Sequence, residues 1–213
     1  MKQRFKKLKL KIKNLCIKKT ANLRKKKLKS VDFTIISNNC WGGDVYRYFG
    51  LPYLSPMAGL YFFADEYIRM LKNLKYYLSL PLHFISIEES KYKDELVRLN
   101  QQDKIIGKLG DVEIVFLHYP TQEEAREKWE RRAKRINYDN LIVKFSRQNL
   151  CTDEHIEIFS QLPYEKKIFF DNMDTTDKYP FSIYYKGQEN IGYLRDDISQ
   201  YRKYVDILEF INK

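Results

Sequence analysis

Short apolar runs rich in β-branched residues alternate along this chain with stretches of helical apolar spacing, which restricts it to the α/β class. Strands are expected at Phe33–Ile36, Leu82–Ile87, Lys104–Gly107, Asp111–His118, Leu141–Phe145, Lys166–Phe170 and Ser182–Tyr185. Helices are expected from Asp44 through Phe49, from Phe62 to Leu78 and from Ile198 to Ile211. In the second of these Phe63, Tyr67, Met70, Leu71, Leu74 and Leu78 keep one face apolar, and Pro81 ends it. A fourth helix opens at Thr121-Gln-Glu-Glu124, which has the form of a capping box, and runs to about Arg135.

Two connections follow from these elements. Lys104–Gly107 and Asp111–His118 are spaced to pair as a hairpin across Lys108-Leu109-Gly110. Strand Asp111–His118, the Thr121 helix and strand Leu141–Phe145 then predict a βαβ unit with parallel strands. The expected architecture is a layered α/β/α fold with a mixed, partly parallel sheet.

At 213 residues the chain can bury one sizeable core. The division expected is a basic extension over residues 1–30 and a single α/β domain over 31–213. Charge supports that division. Residues 1–30 hold 12 Lys and 2 Arg and no acidic residue, so they carry 14 of the 39 basic residues. The other 25 stand against 28 acidic residues, a net −3. A near-neutral body argues against nucleic acid as a partner. Within the extension Phe5, Leu8, Ile12 and Leu15 recur at steps of three and four among lysines. That is the pattern of a basic amphipathic helix lying on an anionic membrane surface. A solvated basic tail, or a helix packed on the domain, fits the same residues.

Cys16, Cys40 and Cys151 form no C-x-x-C spacing and are odd in number, so a reducing, cytoplasmic setting is expected without a zinc site. No secretory signal or membrane-length apolar run is visible, which leaves peripheral attachment to the inner face of the plasma membrane as the membrane option. The 17 tyrosines suit a half-exposed core edge or a carbohydrate-binding surface.

The candidate site is the loop Ser37-Asn38-Asn39-Cys40-Trp41-Gly42-Gly43, just past a buried strand. Open α/β sheets hold ligands beyond the carboxyl ends of their strands. Cys40 is a candidate nucleophile and His118, at the end of another strand, a candidate base; Asn38 and Asn39 could bind an oxyanion or sugar hydroxyls. Each has a structural alternative: a buried inert thiol, a hydrogen-bonded strand-end imidazole, or turn-forming amides. His83 and His155 look ordinary. On the Thr121 helix and just after it, Arg131, Arg132, Arg135, Asn137 and Asp139 could bind phosphate or carboxylate, with salt-bridging to Glu123, Glu124, Glu127 and Glu130 as the alternative. Trp129 with Ala125 and Ala133 reads as the buried stripe of that helix. Asp171, Asp174 and Asp177 lack metal-loop spacing, and no Walker, G-x-G-x-x-G, G-x-S-x-G or D-x-D motif occurs.

Two blocks taken together resemble a bacterial family of unknown function whose members are frequently labelled exopolysaccharide biosynthesis proteins. They are Ile36–Gly43 with Leu51-Pro-Tyr-Leu-Ser55-Pro56, and Leu109–Ile114 with His118-Tyr119 and Glu124 to Ser146. The resemblance implies an α/β layered domain in surface-glycan assembly, with Ser55 and Tyr119 among the binding residues. Asn39-Cys40 after a strand is also similar to the loop of capsule acetyltransferases that bind coenzyme A. What these likenesses imply is a transferase of surface-polysaccharide synthesis acting on a glycan or glycolipid acceptor. Acyl transfer with coenzyme A is one form, glycosyl transfer from a nucleotide-sugar another, and a non-catalytic glycan-assembly protein at the membrane a third.

Overall fold

The computed structural model describes residues 19–189 and 191–213; the amphipathic pattern at Phe5–Leu15 lies outside them. Residues 19–25 are helical (α1). There follow β1 (Thr34–Ser37), α2 (Trp41–Phe49), β2 (Leu60–Tyr61), α3 (Ala64–Lys72), α4 (Leu74–Ser79), β3 (His83–Ile85) and α5 (Lys93–Arg98). Then come β4 (Ile105–Leu109), β5 (Val112–Phe116), α6 (Gln122–Ala133), β6 (Leu141–Ser146), α7 (Asp153–Gln161) and β7 (Lys166–Asp171). The chain ends with β8 (Ser182–Tyr184), α8 (Asp197–Gln200) and α9 (Ile207–Asn212).

The α/β class holds, and both parallel and antiparallel pairing are present, but divided between two sheets. One has the order β1-β6-β7-β8 and is parallel throughout. The other has the order β2-β5-β4-β3 and is antiparallel. The parallel sheet is covered on both faces, as its unbroken apolar runs require. Ile35, Ile142, Ile168 and Phe170 pack with Trp41, Val45 and Phe49 of α2 and with Ile207 and Ile211 of α9. Their neighbours Ile36, Val143, Phe145 and Phe169 share a core with Tyr67, Met70 and Leu71 of α3 and Phe159 of α7. That second core continues into Ile114 and Phe116 of β5 and Trp129 of α6, so the two sheets are joined by apolar packing.

The two strands pair as the expected hairpin, but Lys108 and Leu109 pair with Glu113 and Val112 inside it, and the chain turns at Gly110 with φ +60°, a conformation glycine adopts without a Cβ penalty. The βαβ unit expected across α6 does not form. β5 belongs to the antiparallel sheet and β6 to the parallel one, so α6 links two sheets. A genuine parallel pair joined by a helix lies later, at β6, α7 and β7. The helix expected over Phe62–Leu78 is broken at Asn73 (φ −145°, ψ 58°) into α3 and α4. The last helix likewise divides into α8, a 3-10 turn at Tyr201–Lys203 and α9.

For residues 19–29, packing on the body is what the structure shows. Ala21 is buried, and Arg24 donates from Nε to the Tyr48 carbonyl at 2.8 Å, its guanidinium 4.0 Å from the Tyr48 ring centre. Asn212 holds the same stretch from the other end of the chain, through the Lys27 carbonyl and the Lys29 amide. Among the described residues no helix is long and apolar enough to cross a membrane.

Candidate functional site

The loop Ser37–Gly43 is the seam between the sheets. Its Asn38 carbonyl accepts from Phe62 N at 3.0 Å, just past β2, while Asn38 N donates to Lys144 O of β6 at 3.4 Å. Ser37 Oγ donates to Asn39 O at 2.7 Å and accepts from Gly42 N at 3.3 Å. Gly42 lies so close to β1 that a Cβ there would stand 2.9 Å from Ile35 Cγ2. The polar side chains expected to bind ligand are therefore used to fold the loop: Ser37, Asn38 and Asn39 are all buried.

Beneath the loop lies a buried polar network. Strand alternation turns Ile142, Lys144 and Ser146 to one face of the sheet, and Lys144 is fully buried there. Its Nζ donates to Asp197 Oδ2 at 2.5 Å, Ser146 Oγ at 3.0 Å, Asn39 Oδ1 at 3.1 Å and Asn38 Oδ1 at 3.3 Å. Asp197 Oδ2 also accepts from Asn39 Nδ2 at 2.9 Å. Burial lowers the Lys144 pKa, and Asp197 opposes that shift. Each member is satisfied by another, as a buried charge requires.

Above the seam opens a cleft of about 460 Å³, walled by Cys40, Tyr53, Gly59, His118, Tyr119 and Arg132. The sequence-predicted thiol and imidazole thus meet one cavity, although they come from strands of different sheets. They flank the segment Gly59–Leu60: Cys40 Sγ donates to Leu60 O at 3.5 Å, and His118 N donates to Gly59 O at 3.1 Å. Desolvation raises the Cys40 pKa, and the charge of Asp197 adds to it, so the thiol is a neutral hydrogen-bond donor at physiological pH. His118 is exposed to the cleft, and its ring makes no hydrogen bond among the described residues. Tyr119 donates its hydroxyl to Ala58 O and accepts from Arg132 Nη1 at 2.7 Å; burial pushes its pKa up.

Arg132 is only 7% exposed. Its Nη1 also donates to Ala58 O at 3.2 Å, and the guanidinium stands 4.8 Å from the Tyr53 ring centre. Among the described residues no carboxylate pairs with it. The acid in the cleft, Asp44, is already held by Arg47 and by Arg202 at 2.6 Å.

Several expected site residues lie elsewhere. Trp41 is fully buried, edge-on to Phe170 and Tyr201, because an indole at the start of α2 faces the sheet rather than solvent. Gly42 faces β1, whereas Gly43 lines the cleft. Ser55 is buried and accepts from Met57 N, a turn role. Arg131 is exposed and bound to Glu127 at 2.6 Å, the i,i+4 alternative. Asn137 and Asp139 shape the turn into β6, where Asn137 Oδ1 accepts from Asp139 N and Asn137 N donates to Thr34 Oγ1. Arg135 donates from Nη1 to Tyr53 O at 3.1 Å.

Sequence reasoning missed Lys144, Asp197 and the pair Arg147–Asp171, which meets at 2.5 Å at the carboxyl ends of β6 and β7. A signal was present: Lys144 interrupts the apolar run Leu141-Ile-Val-Lys-Phe145, and a lysine inside a buried strand must find an acidic partner. Nothing local marks Asp197, 53 residues away.

The profile of a family described as "Domain of unknown function (DUF1919)" matches residues 11–212. An "Uncharacterized protein" of Haemophilus influenzae is 34% identical over 193 residues, covering 87% of this chain and 85% of that protein.

Proposed function

This chain belongs to the DUF1919 family, and we propose that it is a transferase of bacterial surface-polysaccharide synthesis, acting on a glycan or glycolipid at the inner face of the plasma membrane. One observation carries the reading: a buried Arg132 without a carboxylate faces the same cleft as an exposed, unbonded His118 imidazole. A buried cation lacking its counter-ion is a seat for an anionic group, and donors of both acyl and glycosyl groups carry phosphates. His118 acts as the general base that takes the proton of an acceptor hydroxyl as the hydroxyl attacks the donor. The neutral Cys40 thiol favours direct transfer over a cysteinyl intermediate. The glycan setting draws on the sequence resemblance alone, and the bacterial one on the relative from Haemophilus influenzae. Membrane attachment draws on the basic N-terminal segment, where Leu23 (62% exposed) and Val31 (42%) stand out among exposed lysines.

The test offers the full chain a bacterial glycolipid acceptor with either coenzyme A thioesters or nucleotide-sugars. Transfer should appear with one donor class, fall at least a hundredfold in His118→Ala, and persist in Cys40→Ala. Loss in Cys40→Ala would restore the covalent acyl route. No transfer from either class above the His118→Ala background ends the transferase reading.

A further inference from the structure

A second concavity, about 600 Å³, adjoins the cleft and shares Arg47, Tyr53 and Arg132 with it. It extends along α6 to Arg135 and ends against Ala21 and Asn22 of α1. Among the described residues no acidic side chain lines it. We infer that this groove binds a diphosphate, one phosphate on Arg132 and the next on Arg135, so that the ligand entering the His118 cleft is a diphosphate ester.

Three observations support the assignment. First, the guanidinium groups are half-used: Arg132 and Arg135 each donate through Nη1 alone, to neutral oxygens, and Nε and Nη2 of both have no acceptor among the described residues. Second, the fold treats another buried arginine differently. Arg147 is closed off by both oxygens of Asp171 and by Asp153 at 2.7 Å. Third, no missing carboxylate can come from the remaining N-terminal sequence, since residues 1–18 contain no Asp or Glu. Arg135 lies in the turn that ends α6, its N donating to Arg132 O at 3.0 Å, and Tyr53 links the two side chains, its carbonyl on Arg135 and its ring against Arg132. Two planar donor forks lining one groove match two linked phosphates better than one carboxylate.

The claim that the diphosphate ester reaches His118 rests on the transferase reading; the groove itself does not. Titration calorimetry of the full chain with inorganic pyrophosphate at low ionic strength tests the groove. Pyrophosphate should bind and sulfate should bind at least tenfold more weakly. Arg132→Gln and Arg135→Gln should each weaken pyrophosphate at least tenfold, while Arg98→Gln, which removes the same charge from α5, should change it less than twofold. Arg135 is half-buried with a single carbonyl contact, so its variant stays decisive should Arg132→Gln fail to fold. Equal losses in Arg98→Gln, or equal affinity for sulfate, would show bulk charge and overturn the proposal. Pyrophosphate binding by a chain that transfers nothing would uphold the groove and remove only its link to catalysis.

Discussion

Lys144 and Asp197 meet at 2.5 Å with side chains that are 0% and 2% exposed. The contact ties the middle strand region of the parallel sheet to the C-terminal segment, and both charges act on the Cys40 thiol.

Removing either partner leaves the other charged and dry. Asp197→Ala should cost about 3–5 kcal/mol in urea unfolding, whereas Lys144→Met with Asp197→Leu should cost far less. The pH dependence has a definite sign. The folded pKa of Lys144 is lowered, so between that value and its ordinary 10.5 the unfolded chain binds more protons. Stability therefore rises with pH across that window, and Asp197→Asn, by removing the opposing charge, should widen it downward. Flat stability of Asp197→Asn from pH 7 to 10 would contradict this.

Cys40 should react slowly with iodoacetamide. Its pKa stands above the ordinary 9.0 because of burial, so the thiolate is scarce at pH 7.5. In a chain with Cys16→Ser and Cys151→Ser, the alkylation rate should fall below that of free cysteine and climb as pH passes 9. A rate above that of free cysteine at neutral pH would mark an activated nucleophile instead.

The adjacent glycines of α2 should answer differently to alanine. At Gly42 the new methyl meets Ile35 Cγ2 at 2.9 Å and Ser37 Oγ at 3.1 Å, so overpacking should cost about 1–3 kcal/mol. At Gly43 the nearest atom is Ala58 Cβ at 3.5 Å, an ordinary contact. Gly43→Ala should be neutral or gain up to about 1 kcal/mol of helix propensity, while narrowing the cleft. Thermal melts of both variants decide it.

Binding to anionic vesicles should depend on the basic segment and on salt. Co-sedimentation with phosphatidylserine-rich vesicles should be strong in low salt and weak at 0.5 M. It should drop at least tenfold when the lysines of residues 1–18 are changed to glutamine. Binding unchanged by salt or by those substitutions would remove the membrane role of the segment.

The local periodicities were legible: the β4–β5 pairing and the Thr121 cap that accepts from Glu124 N both occur, and of the expected stripe Ala125 and Trp129 are buried while Ala133 is half-buried. The capping box closes only on its threonine side, because Glu124 turns to Lys128. What stayed hidden is non-local. Apolar runs and a capped helix say nothing about which strands pair, so β5 and β6 read as one unit when they belong to two sheets. The same gap governs the site. Cys40 and His118 were found by strand-end position, and Arg132 by its helix, but which arginine lacks a partner depends on where Glu127, Asp44 and Asp171 fall in space.

The Phe62 N to Asn38 O bond joins the segments just past β2 and β1, while Cys40 and His118 of the cleft follow β1 and β5, so the site's halves belong to separate strand systems. An anion seated there adds RT ln(1 + [L]/Kd) to the unfolding free energy of both systems together. Hydrogen exchange should slow in the β1–β8 and the β2–β5 amides alike when it binds, and ligand occupancy becomes a gauge of cooperativity across the whole molecule.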